Sequence, residues 1–426
     1  MIRAVMLRLL PDEVAEEGLR KLCDISSKLW NEINYARRRM FFETKRVDLK
    51  ATYKEFYERY KKLIGSATTQ QVLNKNDEAW RSFFSSLKAK REGRLPPFIK
   101  KVNPPGYRKR GGRRTLWSVL RNDQYKIDGE YIVIKGLGAI GSIRVRYSGK
   151  IHVSGKQCRA EIHYDHDDKK WYIYVSYEVE EKVIKGSSFR IPLKPLGDRE
   201  AGIDIGINNL LAVYVDDGSA LLVNGRPLKA ISFYWRDKIS EYQSMLNRYG
   251  LKTSKRLRRI YKRWRREVKS YIDWAVRNTI EWLYHSGVKR IYVGYPKYAS
   301  QEPNKGSKIN FEIVHIWSYG YLLRRLRDVA EEYGIEVEHV DEENTSRTCP
   351  ICRTIENHER ISRGLFKCYK HHRVFNADLV GAFNILAKKK SITPSPTLCG
   401  VGVTRLRPGA RLNRAIARDV AQTSPL

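Results

Sequence analysis

Acidic residues are in short supply in this 426-residue chain, where 47 Asp and Glu stand against 82 Lys and Arg, giving a formal net charge of +35. An excess of that size repels itself unless a polyanion neutralises it, and each phosphate contact releases counterions, so nucleic acid is a better partner than a small acidic ligand. Long apolar runs are missing too. None approaches the roughly 20 residues that span a bilayer, and the opening MIRAVMLRLLPDE has neither a signal-peptide core nor a cleavage site. The expectation is a soluble protein, intracellular and cytoplasmic (nucleoid-associated), with no membrane partner. Cysteine is sparse: of six, Cys23, Cys158 and Cys399 are scattered, which fits a reducing compartment and does not suggest a disulfide framework. Aromatics, by contrast, are plentiful, and 26 Tyr with 9 Trp offer stacking surfaces for unpaired bases as well as core volume.

The length allows about two or three domains, and the pattern predicts an α+β multidomain protein. Residues 1–10 alternate as a strand, and 11–93 read as a helical lobe in which Leu19, Leu22, Ile25, Leu29 and Ile33 recur at helical spacing. From Arg94 to Arg114, prolines and glycines interrupt a dense basic run that includes Arg108, Lys109, Arg110, Arg113 and Arg114. That composition rules out a long helix and leaves two options, a phosphate-binding segment or a solvated linker. Short strand patterns with frequent turns then fill 94–195, indicating a small β-barrel that the opening strand could complete.

Residues 196–390 read strand-strand-helix-strand-helix-strand, then a Cys/His knuckle at 345–375 and a final helix, which is an α/β layer. Within it a helical stretch from about Ile231 to His285, broken near Gly250, sets Lys255, Arg258, Arg259, Lys262 and Arg266 opposite an apolar stripe of Leu257, Ile260, Trp264, Val268 and Tyr271. One face packs; the other either tracks a nucleic-acid backbone or simply faces water. The tail, 391–426, is basic and interrupted by proline, and the sequence assigns it no role.

Cys349-x-x-Cys352 and Cys368-x-x-His371 have the spacing of two halves of a tetrahedral site for one structural Zn²⁺, with His372 as the competing histidine. Acids flank this knuckle: Asp341, Glu342 and Glu343 before it, Asp378 after it. Two-metal phosphodiester hydrolysis needs hard carboxylate oxygens on strand ends or a facing helix. Asp204 interrupts an apolar strand, which is costly unless it meets a cation or donor; the alternative is a turn cap with Gly206 and Asn208. Asp378 opens a helix beside Ala377, Gly381 and Ala382, and a plain N-cap is its alternative. Strand alternation keeps Asp341, Glu342 and Glu343 from all entering one site, and Glu302 is a more distant candidate.

Taken in order, GIDIGINNL, TSRTCPIC with FKCYKH, and NADLVGAFNIL resemble the RuvC-type nuclease motifs and zinc knuckle of the TnpB family, transposon-encoded RNA-guided nucleases related to type V CRISPR effectors and Fanzor proteins. The resemblance covers most of Ala201 to Lys390. It implies a helical recognition lobe, a wedge β-barrel and a RuvC/RNase H-like nuclease domain with an inserted zinc knuckle. It also implies a guide RNA from the transposon end, a double-stranded DNA target beside a short flanking motif, two catalytic Mg²⁺ ions, and a monomer or dimer on one RNA. The first and last catalytic acids of the family carry over to Asp204 and Asp378. The usual middle glutamate falls at Gly294, and some members resemble this chain in placing it instead just before the TS-x-x-C segment, here Glu342. The alternative implied by Gly294 is a nuclease-inactive, repressor-like protein that binds DNA under RNA guidance.

Overall fold

The structure is a computed structural model, and it describes all residues except 96–100, 111, 185–186, 296–318, 357, 363 and 409–426. Two compact units divide between Arg190 and Ile191. The expected helical lobe and barrel therefore share the first unit, and the boundary falls a few residues before the predicted 195/196.

In the first unit, strand β1 (Ile2–Leu10) buries Leu7 and Leu9 and exposes Met6 and Arg8, as a strand with one covered face does. Three helices follow, α1 (Glu13–Thr44), α2 (Leu49–Ile64) and α3 (Ser66–Arg91). Asp12 caps α1 by accepting from the Ala15 amide at 2.8 Å. Leu19, Leu22, Leu29 and Ile33 form its buried face. The fully buried Arg37 of α1 donates to Thr52 of α2 and Asn76 of α3, tying the three helices together.

A short hairpin, β2 (Lys109–Arg110) and β3 (Arg113–Arg114), leads into strands β4 (Trp117–Leu120), β5 (Tyr125–Asp128), β6 (Tyr131–Ile134), β7 (Ile143–Ser148), β8 (Val153–Asp165), β9 (Lys170–Ile184) and β10 (Ser187–Arg190). Their order is β4-β8-β9-β1-β7-β6-β5, with β10 paired to β9. The opening strand joins this sheet, between β9 and β7. The sheet is nearly closed and barrel-like: the Tyr125 hydroxyl at the start of β5 donates to the Cys158 carbonyl of β8 at 2.7 Å. No helix among the described residues is long and apolar enough to cross a membrane.

The second unit is built on a six-stranded sheet. Strands β11 (Arg199–Asp204), β12 (Asn209–Val215) and β13 (Ala220–Asn224) precede helices α4 (Arg226–Arg248) and α5 (Lys255–His285). The break between the two helices contains Gly250 at φ 65°, where glycine carries no Cβ penalty. Then come β14 (Val288–Tyr295), α6 (Tyr319–Glu332), β15 (Glu336–Asp341), the knuckle strands β16 (His358–Ser362), β17 (Leu365–Cys368) and β18 (Arg373–Asn376), helix α7 (Ala377–Ala387) and β19 (Thr404–Leu406).

The sheet order is β15-β14-β11-β12-β13-β19, with β11, β14 and β15 parallel. Part of the segment taken as a separate tail is therefore an edge strand, because β19 pairs with β13. Both faces are covered, which is why these strands read as nearly continuous apolar runs. Ala201, Ile203, Leu211 and Val213 pack with Ile272, Val276 and Ile280 of α5 and with Leu326 of α6. Residues of the opposite parity, Ala212, Tyr214, Leu222 and Tyr292, pack with Leu379, Phe383 and Leu386 of α7.

Helix α7 lies unusually close to β11. A Cβ placed on Gly202 would be 2.2 Å from the Ala382 carbonyl oxygen and 2.9 Å from the Leu386 nitrogen. Backbone cannot yield as a side-chain tip can, so Gly202→Ala is expected to destabilise the second unit by roughly 3 kcal/mol, read as a lower midpoint in urea or thermal unfolding.

Candidate active site and zinc knuckle

The carboxylates predicted from sequence lie at the C-terminal ends of the parallel strands, where open α/β sheets place their ligands. Asp204 is the last residue of β11, one past the Ile203–Val293 pair with β14. Gly294 of β14 pairs with Val340 of β15, and Glu342 is the first residue beyond that strand. A Cβ on Gly294 would sit 2.6 Å from Glu342 Oε1 and 2.8 Å from its Cγ. The Glu342 side chain therefore occupies the volume that a side chain at 294 would need.

Helix α7 brings the third acid. Asn376 caps it by accepting from the Asp378 and Leu379 amides, so the Asp378 carboxylate is not used as the cap. Asp378 is 8% exposed, and its Oδ2 accepts from Asn209 Nδ2 at 2.8 Å. Three residues on, a Cβ at Gly381 would stand 2.9 Å from Asp204 Oδ2. The small residue lets the helix lie directly against the first acid.

The acids beside Glu342 are turned away: Asp341 and Glu343 are exposed, and Asp341 Oδ1 accepts from the Glu343 amide at 3.1 Å. Glu302 lies outside the described residues. Glu342 Oε1 is buried and has no hydrogen-bond partner among the described residues. Its carboxyl is pushed up to about 8, first by burial and then by the charges of Asp204 and Asp341, while Lys388 pulls the other way. Tyr319 borders the same space, donating to the Ile205 carbonyl at 3.3 Å, and its phenol is raised by burial and by the charges of Glu342 and Asp204.

A buried, unpartnered carboxyl oxygen beside a second carboxylate suits a divalent cation better than it suits the metal-free protein. Without metal, the folded state keeps the Glu342 proton to about pH 8, whereas the unfolded chain releases it near 4.5. The resulting destabilisation is absent below the unfolded value, grows as pH rises, and is complete above about 8. Glu342→Gln in EDTA is therefore expected to raise the unfolding temperature by roughly 2–6 °C at pH 8.5 and to leave it unchanged at pH 4.5, as scanning calorimetry would record.

In the knuckle, the three sulfurs of Cys349, Cys352 and Cys368 lie within 4.8 Å of one another. Cys352 and Cys368 are 3.6 Å apart, and His371 Nδ1 is 3.1 Å from Cys352 Sγ and 3.4 Å from Cys368 Sγ. Tetrahedral zinc at 2.3 Å from sulfur requires about 3.7 Å between sulfurs, so this set fits the ion. The contacts belong to His371; His372, at φ 49°, makes the turn between β17 and β18. One equivalent of zinc is expected by metal analysis, and Cys352→Ser or a strong chelator is expected to remove it and lower the unfolding temperature by roughly 5 °C or more.

Four residues of this centre carried no recognised sequence signal. Asn209 stood in the N-N pair after β11, Tyr319 opened α6, and Asn384 and Lys388 were hidden in the last helix. The 5%-exposed Asn384 donates to the carbonyls of Thr345 and Thr348, both at 2.7 Å. Their spacing from Asp378 and Gly381 along one stripe of α7 was the available clue.

The basic candidates separate by burial. The Arg108 guanidinium, expected as a phosphate contact, lies 4.7 Å from the Trp30 ring and 3.8 Å from the Trp117 ring, in cation–π contact with both. Arg114 makes a bidentate pair with Asp24, both contacts at 2.7 Å. Lys109 and Arg113 are exposed on the β2–β3 hairpin, and the side chain of Arg110 is outside the described set. On α5, Lys255, Arg259 and Arg266 are exposed while Arg258 and Lys262 are half-buried, opposite the buried Leu257, Trp264 and Val268.

The fold is similar to that of Cas12f1. Superposed on the cryo-EM structure of a Cas12f1–sgRNA–target DNA complex, the chain gives a TM-score of 0.60 over 90% of its length and 98% of the other, at 13% identity. Residues 174–299 match the OrfB_IS605 family, described as a probable transposase, and 319–385 match the Cas12f1-like TNB domain. The chain is 38% identical over 407 residues to the TnpB-like protein ORF457 of Acidianus two-tailed virus, covering 91% of this chain and 86% of that protein. It is 26% identical over 268 residues to the CRISPR-associated endodeoxyribonuclease Cas12f1 of Sulfoacidibacillus thermotolerans, covering 60% and 57% of the two chains. The chain belongs to the TnpB-like family.

Proposed function

We propose that this protein is an RNA-guided DNA endonuclease of a transposon, cleaving double-stranded target DNA beside a short flanking motif. The observation that carries this reading is the Glu342 carboxyl lying over Gly294. An acid in the volume that the family glutamate would fill, near Asp204 and the helix that bears Asp378, supports this reading.

Asp204, Glu342 and Asp378 would hold two Mg²⁺ ions, which, when bound, activate water and stabilise the leaving oxygen. Asn209 orients Asp378, and Gly381 keeps the helix from crowding Asp204. Tyr319 walls the acids from one side. Cys349, Cys352, Cys368 and His371 would hold a zinc ion in a structural role, since four protein ligands leave no position for a reactant. A guide RNA from the transposon end would read the target by pairing, leaving the protein to grip phosphates and duplex shape, which accounts for the charge of +35. Lys109, Arg113 and the exposed cations of α5 are the phosphate contacts this reading favours. The assembly is taken to be one or two copies on one RNA.

A second reading, a nuclease-inactive repressor guided by RNA, is favoured by Gly294 itself. Incubating the purified ribonucleoprotein with matched duplex DNA and Mg²⁺ decides between the two. Cleavage is expected, and Glu342→Ala is expected to reduce it by at least about 100-fold while DNA binding persists. Intact DNA with wild-type protein would favour the repressor, and a fully active Glu342→Ala alongside a dead Asp341→Ala or Glu343→Ala would reassign the acid.

A further inference from the structure

The end of α7 and the residues just past it carry three consecutive lysines, and each ammonium has a different neighbour. Lys389 pairs with Glu338 of β15 at 2.6 Å, and Lys390 with Asp216 in the β12–β13 turn at 2.5 Å. Lys388 instead donates to two main-chain carbonyls, Asp341 O at 2.8 Å and Glu343 O at 2.7 Å. These are the carbonyls of the residues on either side of Glu342.

A residue one past a strand end has left the ladder, so other groups must fix its backbone. The Glu342 carbonyl is held by Thr345, whose amide donates at 3.1 Å and whose hydroxyl donates at 2.9 Å. Thr345 is in turn held by Asn384 of α7. Lys388 adds the two flanking carbonyls, and its three donors with no acceptor suit that task. One helix therefore fixes both the Glu342 turn and Asp378.

From this we infer that Lys388 is a positioning residue for Glu342: by gripping the carbonyls of both flanking residues it aims the side chain into the volume over Gly294. The inference rests on the nuclease reading, in which Glu342 is a metal ligand. Metal ligands tolerate little misplacement, and loss of a group that orients one typically costs 10–100-fold in affinity. Methionine at 388 keeps the apolar stem and removes both donors. Arginine restores donors that can span two carbonyls.

The test is Mn²⁺ binding to the full, zinc-loaded chain, followed by electron paramagnetic resonance, with Mg²⁺-dependent cleavage by the ribonucleoprotein in parallel. Lys388→Met is expected to weaken Mn²⁺ binding roughly tenfold and to raise the half-saturating Mg²⁺ for cleavage similarly, with zinc content and RNA binding unchanged. Lys388→Arg is expected to recover most of the affinity. Lys389→Met, which loses only the Glu338 pair, is expected to bind Mn²⁺ as wild type does. Wild-type affinity in Lys388→Met, or equal impairment in Lys389→Met, overturns the positioning role alone. A wild-type protein that binds no more Mn²⁺ than Asp204→Ala overturns the nuclease reading, and the positioning role with it.

Discussion

The contact on which the second unit depends is the approach of helix α7 to strand β11. Two glycines, one on each element, let backbone meet backbone and backbone meet carboxylate without intervening side chains. Gly202 faces the Ala382 carbonyl and Gly381 faces Asp204, so at Gly202 the distance between helix and sheet is set by backbone atoms that cannot change rotamer. Everything else on that stripe of α7 inherits the spacing. Asp378, Asn384, Ile385 and Lys388 reach respectively Asn209, the knuckle carbonyls, Gly294 and the peptides around Glu342. A helix is a good ruler for this purpose, because residues three and four apart stand in line along one face.

In the proposed reading, Glu342 stands in for the acid that Gly294 lacks, and a site survives loss of a residue in the primary pattern. What the centre requires is an oxygen at a place, and two neighbouring parallel strands end near the same place. Removing the side chain from β14 and extending one from beyond β15 satisfies the same volume. Gly294 then has a positive role, since any side chain there would collide with the Glu342 carboxyl and with Ile385. The tension in the metal-free site, a buried carboxyl raised to about 8 beside Asp204, is the electrostatic counterpart of that crowding.

Much of this was legible in the residues. The paired C-x-x-C and C-x-x-H spacings are local, and local spacing survives folding, so the knuckle reads directly. Asp204 stood out because an acid in an apolar strand is costly. The break at Gly250 and the apolar stripe of α5 also follow from the chain alone. Tertiary partners do not. Arg108 reads as one more cation in a basic run, and only folding sets it against Trp30 and Trp117. Strand β19 is three residues long with Leu406 as its buried apolar side chain, too little pattern to announce an edge strand. The sequence narrowed 341–343 by alternation, but which of the three enters the site is decided by the turn after β15.

The order of these parts along the chain matters for when the protein becomes whole. Asp204 emerges from the ribosome some 170 residues before Asp378, and the turn that presents Glu342 is fastened by Asn384 and Lys388, which come later still. A nascent chain that has already folded its first unit and most of the second sheet carries three uncoordinated acids and no centre. Competence arrives late and at once, when the last helix seats against Gly202. On the proposed reading, the nuclease stays silent throughout its own synthesis.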